Sequence, residues 1–304
     1  MKFSEPATTF DEQLDKLISR GMVILDRNAA LHHLRHINYY RLSGYWYDFE
    51  SDHETHAFVA GVTFDEVINL YMFDKKLRLL LLNAIERVEI SLRTQLTYHL
   101  SHTYHPHAHL DSSLFKPIWH GGRPTSHAEN IDALRLEVQK SQEPFIRKFD
   151  QYEEILPPLW AVCEIMMLGS LSRWYANLAK SSDRNAIAKL YGMDETNLVS
   201  FVHHLSTVRN ICAHHARLWN KKFTFQWKLP GKSPKNININ FNNEHPRKIY
   251  NTLVMLAYLM DVITPGHIWR KRLHHIMDIH RIDPEAMGFP NNFLDLPIWK
   301  GPIM

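Results

Sequence analysis

Residues 201–219 read Phe-Val-His-His-Leu-Ser-Thr-Val-Arg-Asn-Ile-Cys-Ala-His-His-Ala-Arg-Leu-Trp, and no other stretch concentrates so many groups able to move protons or grip a phosphate. The run contains neither Gly nor Pro. At about 100° per residue, a helix here sets Leu198, Phe201, Leu205, Val208, Cys212, Ala216 and Trp219 along one core-facing stripe. His203, Thr207, Asn210 and His214 fall within a sector of roughly 60° on the polar side, and Arg209, at the border of the stripe, can bend its guanidinium towards them. Asn210 and His214 are i,i+4 neighbours. An imidazole that titrates near neutrality can act as base or acid, a guanidinium can offer a bidentate fork to a phosphate, and an amide can hold the imidazole tautomer or contact a phosphoryl oxygen. Together they suffice to cleave a phosphodiester. His203 shares the polar face and is a supporting candidate, whereas His215 points nearer the apolar side and reads as a core histidine.

Such a helix needs a partner. Thr63-Phe-Asp-Glu66 is a capping box that opens the longest helical stretch, running to about Ser101 without Gly or Pro. Val67, Leu70, Leu77, Leu81, Ala84, Val88 and Leu92 form its buried side, while Glu86, Glu89 and Arg93 line a narrow polar strip. Glu89 and Arg93 have the spacing of a structural ion pair. They can also support the catalytic face if this helix packs beside residues 201–219. Thr9 or Asp11 can cap a first helix and Asp26 a second, over 29–37. Tyr39, Tyr40, Tyr45, Trp46, Tyr47 and Phe49 surround Ser43-Gly44, which reads as a turn, and these rings either pack the N-terminal segment onto the core or stack bases. Further helices are expected at about 126–141, 143–151, 158–179, 183–191, 246–262 and 266–278.

After the motif helix the hydrophobic period shortens. Residues 223–227 and 236–241 alternate around a Pro/Gly-containing stretch, which predicts a small hairpin or β-like arm. Lys221, Lys222, Lys228, Lys232 and Lys235 decorate it, and with Arg270, Lys271 and Arg272 they are the best candidates for RNA phosphate contacts.

Composition bounds the rest. With 304 residues, 45% hydrophobic and 22% charged, the chain can bury a substantial core and is far from disordered composition. A formal charge of +3 requires any RNA to be held by a local patch rather than by the field of the whole molecule. Cys163 and Cys212 have apolar neighbours and no CxxC spacing, as expected of buried thiols in a reducing compartment. The polar amino terminus lacks an apolar signal segment, and the leucine run at 79–82 is far too short to span a bilayer, so a cytoplasmic protein without membrane contact is expected. His102, His105, His107 and His109 lack the cysteine pair or HExxH pattern of a built metal site, and Gly121-Gly122-Arg123-Pro124 lacks the Gly-Lys of a phosphate-binding loop. No metal or other cofactor is expected.

Arg209-Asn210-Ile211-Cys212-Ala213-His214 resembles the R-x4-H motif of HEPN-domain ribonucleases. Asn38-Tyr39-Tyr40-Arg41-Leu42-Ser43-Gly44-Tyr45-Trp46 resembles the N-terminal signature of Abi-family (AbiD/AbiF-like) abortive-infection proteins, and Met287-Gly288-Phe289-Pro290 with Leu296-Pro297-Ile298-Trp299 resembles their ending. The resemblance implies a mainly α-helical, HEPN-like bundle with additional helices, to which the sequence adds the small hairpin arm. The N-terminal segment 1–62, the core 63–219 and the remainder 220–304 are expected to form one continuous unit. It further implies a homodimer whose motif helices face each other, and a metal-independent endoribonuclease of a prokaryotic abortive-infection or toxin–antitoxin system, held in check by a small RNA or a protein. The alternative is a non-catalytic RNA-binding or partner-binding module on the same fold; a metal-dependent hydrolase has only the 21 histidines in its favour. Some HEPN toxins carry a Tyr two residues after the His, where it is adenylylated. Ala216 stands there in this chain and, placed on the core stripe, offers no hydroxyl.

Overall fold

Local capping chemistry sets where the first helices begin. In the computed structural model, which describes residues 6–303, Thr9 and Glu12 close a capping box at the start of α1 (Phe10–Ser19), and Asp26 accepts the Ala29 N–H to open α2 (Arg27–His36). The expectation about a leader falls partly on residues 1–5, outside the described residues. Asn38 caps α3 (Tyr39–Trp46), so Ser43 and Gly44 lie inside a helix rather than in the expected turn. Tyr45 and Trp46 are buried while Tyr40 is exposed, which fits a helix face seated on the core.

The strands β1 (Glu50–Asp52) and β2 (Ala57–Phe58) then pair antiparallel. The small β element therefore lies upstream of the position expected for it. Residues 223–241 contain no strand. Phe223, Trp227 and Ile237 are buried, but Asn236 at φ 61° and a 3-10 turn at Asn238–Asn240 interrupt the extended backbone, so the two alternating stretches meet through Trp227 and Phe241 without forming a ladder.

Thr63 and Glu66 form the expected capping box at the head of α4 (Phe64–Thr103), whose 40 residues are the backbone of the fold. All seven residues expected on its buried side are buried. The next helices are α5 (His127–Lys140) and α6 (Pro144–Arg147). The single helix expected at 158–179 is broken into α7 (Leu159–Ile165) and α8 (Leu168–Ala176), because Met166 and Met167 adopt extended backbone. The break exposes the Met166 carbonyl, which accepts Arg93 Nη2 at 2.6 Å. After α9 (Ser181–Lys189) comes the motif helix α10 (Glu195–Ala213), then α11 (Tyr250–Ile263), α12 (Trp269–Ile279) and α13 (Pro297–Lys300). Helix α4 contacts α3, α7, α9, α10, α11 and α12, and α10 is held between α4 and α8. One hydrophobic core runs from Leu14 to Trp299 through all three expected segments.

Two of the residues singled out by sequence serve this core. Arg270, a phosphate candidate by sequence, instead pairs its guanidinium with the buried Asp261 and donates to the Ile298 carbonyl at 2.5 Å. A carboxylate 3% exposed needs that cation, so Arg270 is a structural residue, while Lys271 and Arg272 are exposed. His109 lies buried beside Trp174, where loss of hydration pushes its pKa down to about 3.

Candidate functional site

The motif helix begins at Asp194, whose side chain accepts the Asn197 N–H, and buries Leu198, Phe201, Leu205, Val208 and Cys212 as its spacing requires. It ends earlier than the periodicity predicts. Ala213 is the last helical residue and His214 is the C-cap, its N–H still bonded to the Asn210 carbonyl at 2.9 Å. His215 then turns left-handed at φ 58°. Two expectations fall with that turn: His215 is exposed rather than a core histidine, and Ala216 is exposed rather than on the core stripe. Asn210 and His214 are both exposed, Arg209 is half-buried, and Arg209 Nη1 donates to Asn210 Oδ1 at 3.2 Å.

Long-range polar contacts hold this turn. The Asp74 carboxylate of α4 is fully buried and accepts the N–H groups of Leu218 at 3.2 Å and Trp219 at 2.7 Å. It also accepts the Tyr45 hydroxyl at 2.6 Å and pairs with the Arg78 guanidinium one turn along α4. Burial and the neighbouring Asp74 charge push the Tyr45 hydroxyl well above the usual phenol range, so it stays a donor. From α3, Arg41 Nη1 donates to the His215 carbonyl at 2.6 Å, and Arg217 returns a bond to the Gly44 carbonyl. Residues 38–46 and the end of the motif helix, 170 residues apart in sequence, thus interlock behind His214. The roles of Arg41, Asp74 and Arg78 were not seen by sequence reasoning. The available signal was an Asp and an Arg at i,i+4 among Leu70, Leu77 and Leu81, where a carboxylate must be paired.

On the other flank of α10, Arg209 meets α4. A concavity of about 530 Å³ is lined by Leu82, Glu86, Glu89, Ile90, Arg93 and Arg209. Arg93 Nη2 bonds Glu89 at 2.5 Å, and its Nη1 lies 3.6 Å from Glu164. Burial raises the Glu89 carboxyl above its ordinary pKa, opposed by the charges of Arg93 and Arg209, so all three groups share one electrostatic environment. The ion pair expected from spacing is present, and of the motif residues Arg209 alone lines the same concavity. His214, at the helix end, does not line this concavity.

The family model for Abi-like proteins matches residues 32–220, more than half of the chain. The chain belongs to the Abi-like family. No curated protein and no solved structure matches it. The matched region of this Abi-like chain runs from α2 through the interlocked turn, so it contains Arg41, Asp74, Arg78 and the whole of α10.

The other candidates lie apart. His203 is exposed on the polar side of α10, but its ring stacks on Phe225 at 5.4 Å and lines a different concavity from Arg209. Lys222, Lys228 and Lys232 are exposed on the irregular arm and Lys221 is half-exposed; Lys228 Nζ donates to Thr196 Oγ1 at 2.8 Å, on the first turn of α10. Cys163 and Cys212 are buried free thiols whose pKa values burial pushes up to about 12. Among the described residues no three His, Cys, Asp or Glu side chains gather as metal ligands, and no helix is long and apolar enough to cross a membrane.

Proposed function

We propose that this Abi-like protein is a metal-independent HEPN-type endoribonuclease of a prokaryotic abortive-infection or toxin–antitoxin system. The observation that carries the reading is the exposed end of α10, where Arg209 is bonded to Asn210 and the His214 imidazole stands one turn on, braced from behind by Asp74 and Arg41. Rigid support for exposed polar side chains is what a reacting site needs.

In the proposed reaction an imidazole takes the 2′-hydroxyl proton, the 2′-oxygen bonds to phosphorus, and the bond from phosphorus to the 5′-oxygen breaks. A second imidazole protonates that leaving oxygen, giving 2′,3′-cyclic phosphate and 5′-hydroxyl ends. Arg209 neutralises the charge that builds on the phosphoryl oxygens, and Asn210, whose Oδ1 is engaged by Arg209, has its amide N–H groups left for a phosphoryl oxygen or the imidazole. Glu89, itself paired with Arg93, attracts Arg209 from the α4 side. One chain offers one His214, so the second imidazole comes from a second copy across a twofold axis. Control comes from a bound RNA or protein partner covering that cleft, since the position two after His214 is Ala216 and has no hydroxyl to modify.

Incubating the purified protein with a panel of RNAs tests the proposal. Cleavage by the wild type, lost in Arg209→Ala and in His214→Ala with unchanged helical circular dichroism, supports it. RNA affinity without cleavage of any substrate refutes it in favour of a binding module.

A further inference from the structure

A second concavity, of about 230 Å³, lies between α8, the segment 116–121 and α10, with Lys116, His120, Ser172, Arg173, Ser200 and His203 in its lining. Four of these six side chains carry or can gain positive charge, and no carboxylate lines the space. The hydrogen bonds that Lys116 and Arg173 make go to neutral acceptors: Lys116 Nζ to the Ala176 carbonyl at 2.8 Å, Arg173 Nη2 to Thr125 Oγ1 at 2.6 Å and to the Arg123 carbonyl at 3.3 Å. Arg173 Nε is buried without a partner. Burial, reinforced by nearby Arg184 and opposed by Glu195, lowers the Lys116 pKa, a shift that a bound anion would offset.

The rim carries two further features of a strand-binding surface. Ser200 Oγ accepts the Lys228 N–H at 2.8 Å, which brings the lysine-bearing arm to the mouth, and the Phe225 ring lies flat against His203, 27° from parallel. His203 and Asn210 are seven residues apart on α10, so the concavity sits on the same helix side as Asn210 and about 10 Å along the axis from it. The volume is below the ~300–1,000 Å³ of pockets that engulf small-molecule ligands. It suits a phosphate group with the rest of the chain left outside.

We infer that this concavity is a backbone-phosphate subsite for single-stranded RNA, gripping the strand a short distance from the Arg209–His214 end of α10. The identity of the strand as substrate rests on the nuclease reading; the capture of phosphate by Lys116, Arg173, His120 and His203 does not.

The test is fluorescence anisotropy of the full-length protein with a 2′-O-methyl RNA, which cannot undergo transesterification, titrated between 50 and 200 mM salt. Lys116→Gln/Arg173→Gln should bind about tenfold more weakly, with a salt slope shallower by about 1.4 for two lost single-strand contacts. Unchanged affinity and slope in a folded double variant overturns the inference. Should that variant not fold, His120→Gln/His203→Gln decides: the folded variant binds the RNA more weakly than wild type if the subsite is real and equally well if it is not. Inorganic phosphate should displace the RNA from wild type. Phosphate binding that is abolished by Lys116→Gln/Arg173→Gln without any change in RNA affinity would show an anion site that RNA does not use, and would also overturn the inference. Because the probe is never cut, these results are independent of whether Arg209→Ala abolishes cleavage.

Discussion

The Asp74 carboxylate accepts the Trp219 backbone N–H at 2.7 Å across 145 residues of sequence. That bond, with those from Leu218 and Tyr45 and the pairing to Arg78, fixes where the chain goes once the motif helix has ended. Removing the carboxylate leaves the buried Arg78 guanidinium without its counter-charge and takes the acceptor from the Leu218 and Trp219 N–H groups and the Tyr45 hydroxyl. Asp74→Ala should therefore destabilise the fold by about 3–5 kcal/mol in urea denaturation, whereas Arg41→Ala, which removes an exposed bond to the His215 carbonyl, should cost only about 1 kcal/mol. Equal, small losses for both would show that the turn is held some other way.

Acid should weaken the fold through two histidines. His204, whose Nε2 lies 2.8 Å from Thr252 Oγ1, and His109 are both pushed from 6.5 down to about 3, chiefly by loss of hydration. A histidine whose folded pKa lies below its unfolded value is neutral in the fold while the unfolded chain takes up protons. Its contribution to stability is complete above pH 6.5 and is lost as pH falls from 6.5 towards 3, at roughly 1 kcal/mol per unit for each group. Urea midpoints at pH 7.5, 6 and 5 should fall in that order, and His204→Gln should make the decline shallower. A decline as steep in the variant would exclude His204 as a cause.

Features set by neighbouring residues were legible in the sequence. The caps at Thr9, Asp26 and Thr63 depend on side chains within three residues, and the buried sides of α4 and of α10 up to Cys212 follow from spacing alone. The errors lie where a distant group overrides local pattern. Apolar spacing carries the motif helix to Trp219, but Asp74 captures the backbone of Leu218 and Trp219, so those residues reach the core from a turn and His215 and Ala216 are left outside. Arg270 reads as a surface cation from its own helix because Asp261, its partner, is on another. The alternation in 223–241 is real, yet no strand ladder forms there, and its aromatic residues meet the core and each other through side chains alone, as Trp227 does on Phe201 at 4.8 Å and on Phe241 at 5.9 Å. The Glu89–Arg93 pair is legible because both sit on a helix long enough for its face to be read, whereas their place beside Arg209 depends on how α4 and α10 pack.

Two copies should share one active unit. Mixing Arg209→Ala protein with wild type should depress cleavage below the level expected from dilution, because mixed dimers lose a group from the shared cleft. Light scattering that shows a fully active monomer at assay concentration would contradict the dimer.

The arm after the motif helix should contribute affinity without setting sequence preference. Charge reversal at Lys221, Lys222 and Lys228 should weaken RNA binding across sequences and reduce the salt slope, read by filter binding at two salt concentrations. Unchanged slope would mark the arm as a solvated loop.

The most direct measurement is the chemistry of the cut ends in the presence of EDTA. Purified wild-type protein should cleave RNA with the chelator present and leave 2′,3′-cyclic phosphate and 5′-hydroxyl termini, and Arg209→Ala and His214→Ala should each leave the RNA intact while keeping their helical spectrum. Activity abolished by EDTA and restored by magnesium or manganese, or undiminished in either variant, would contradict the assignment of cleavage to the end of α10.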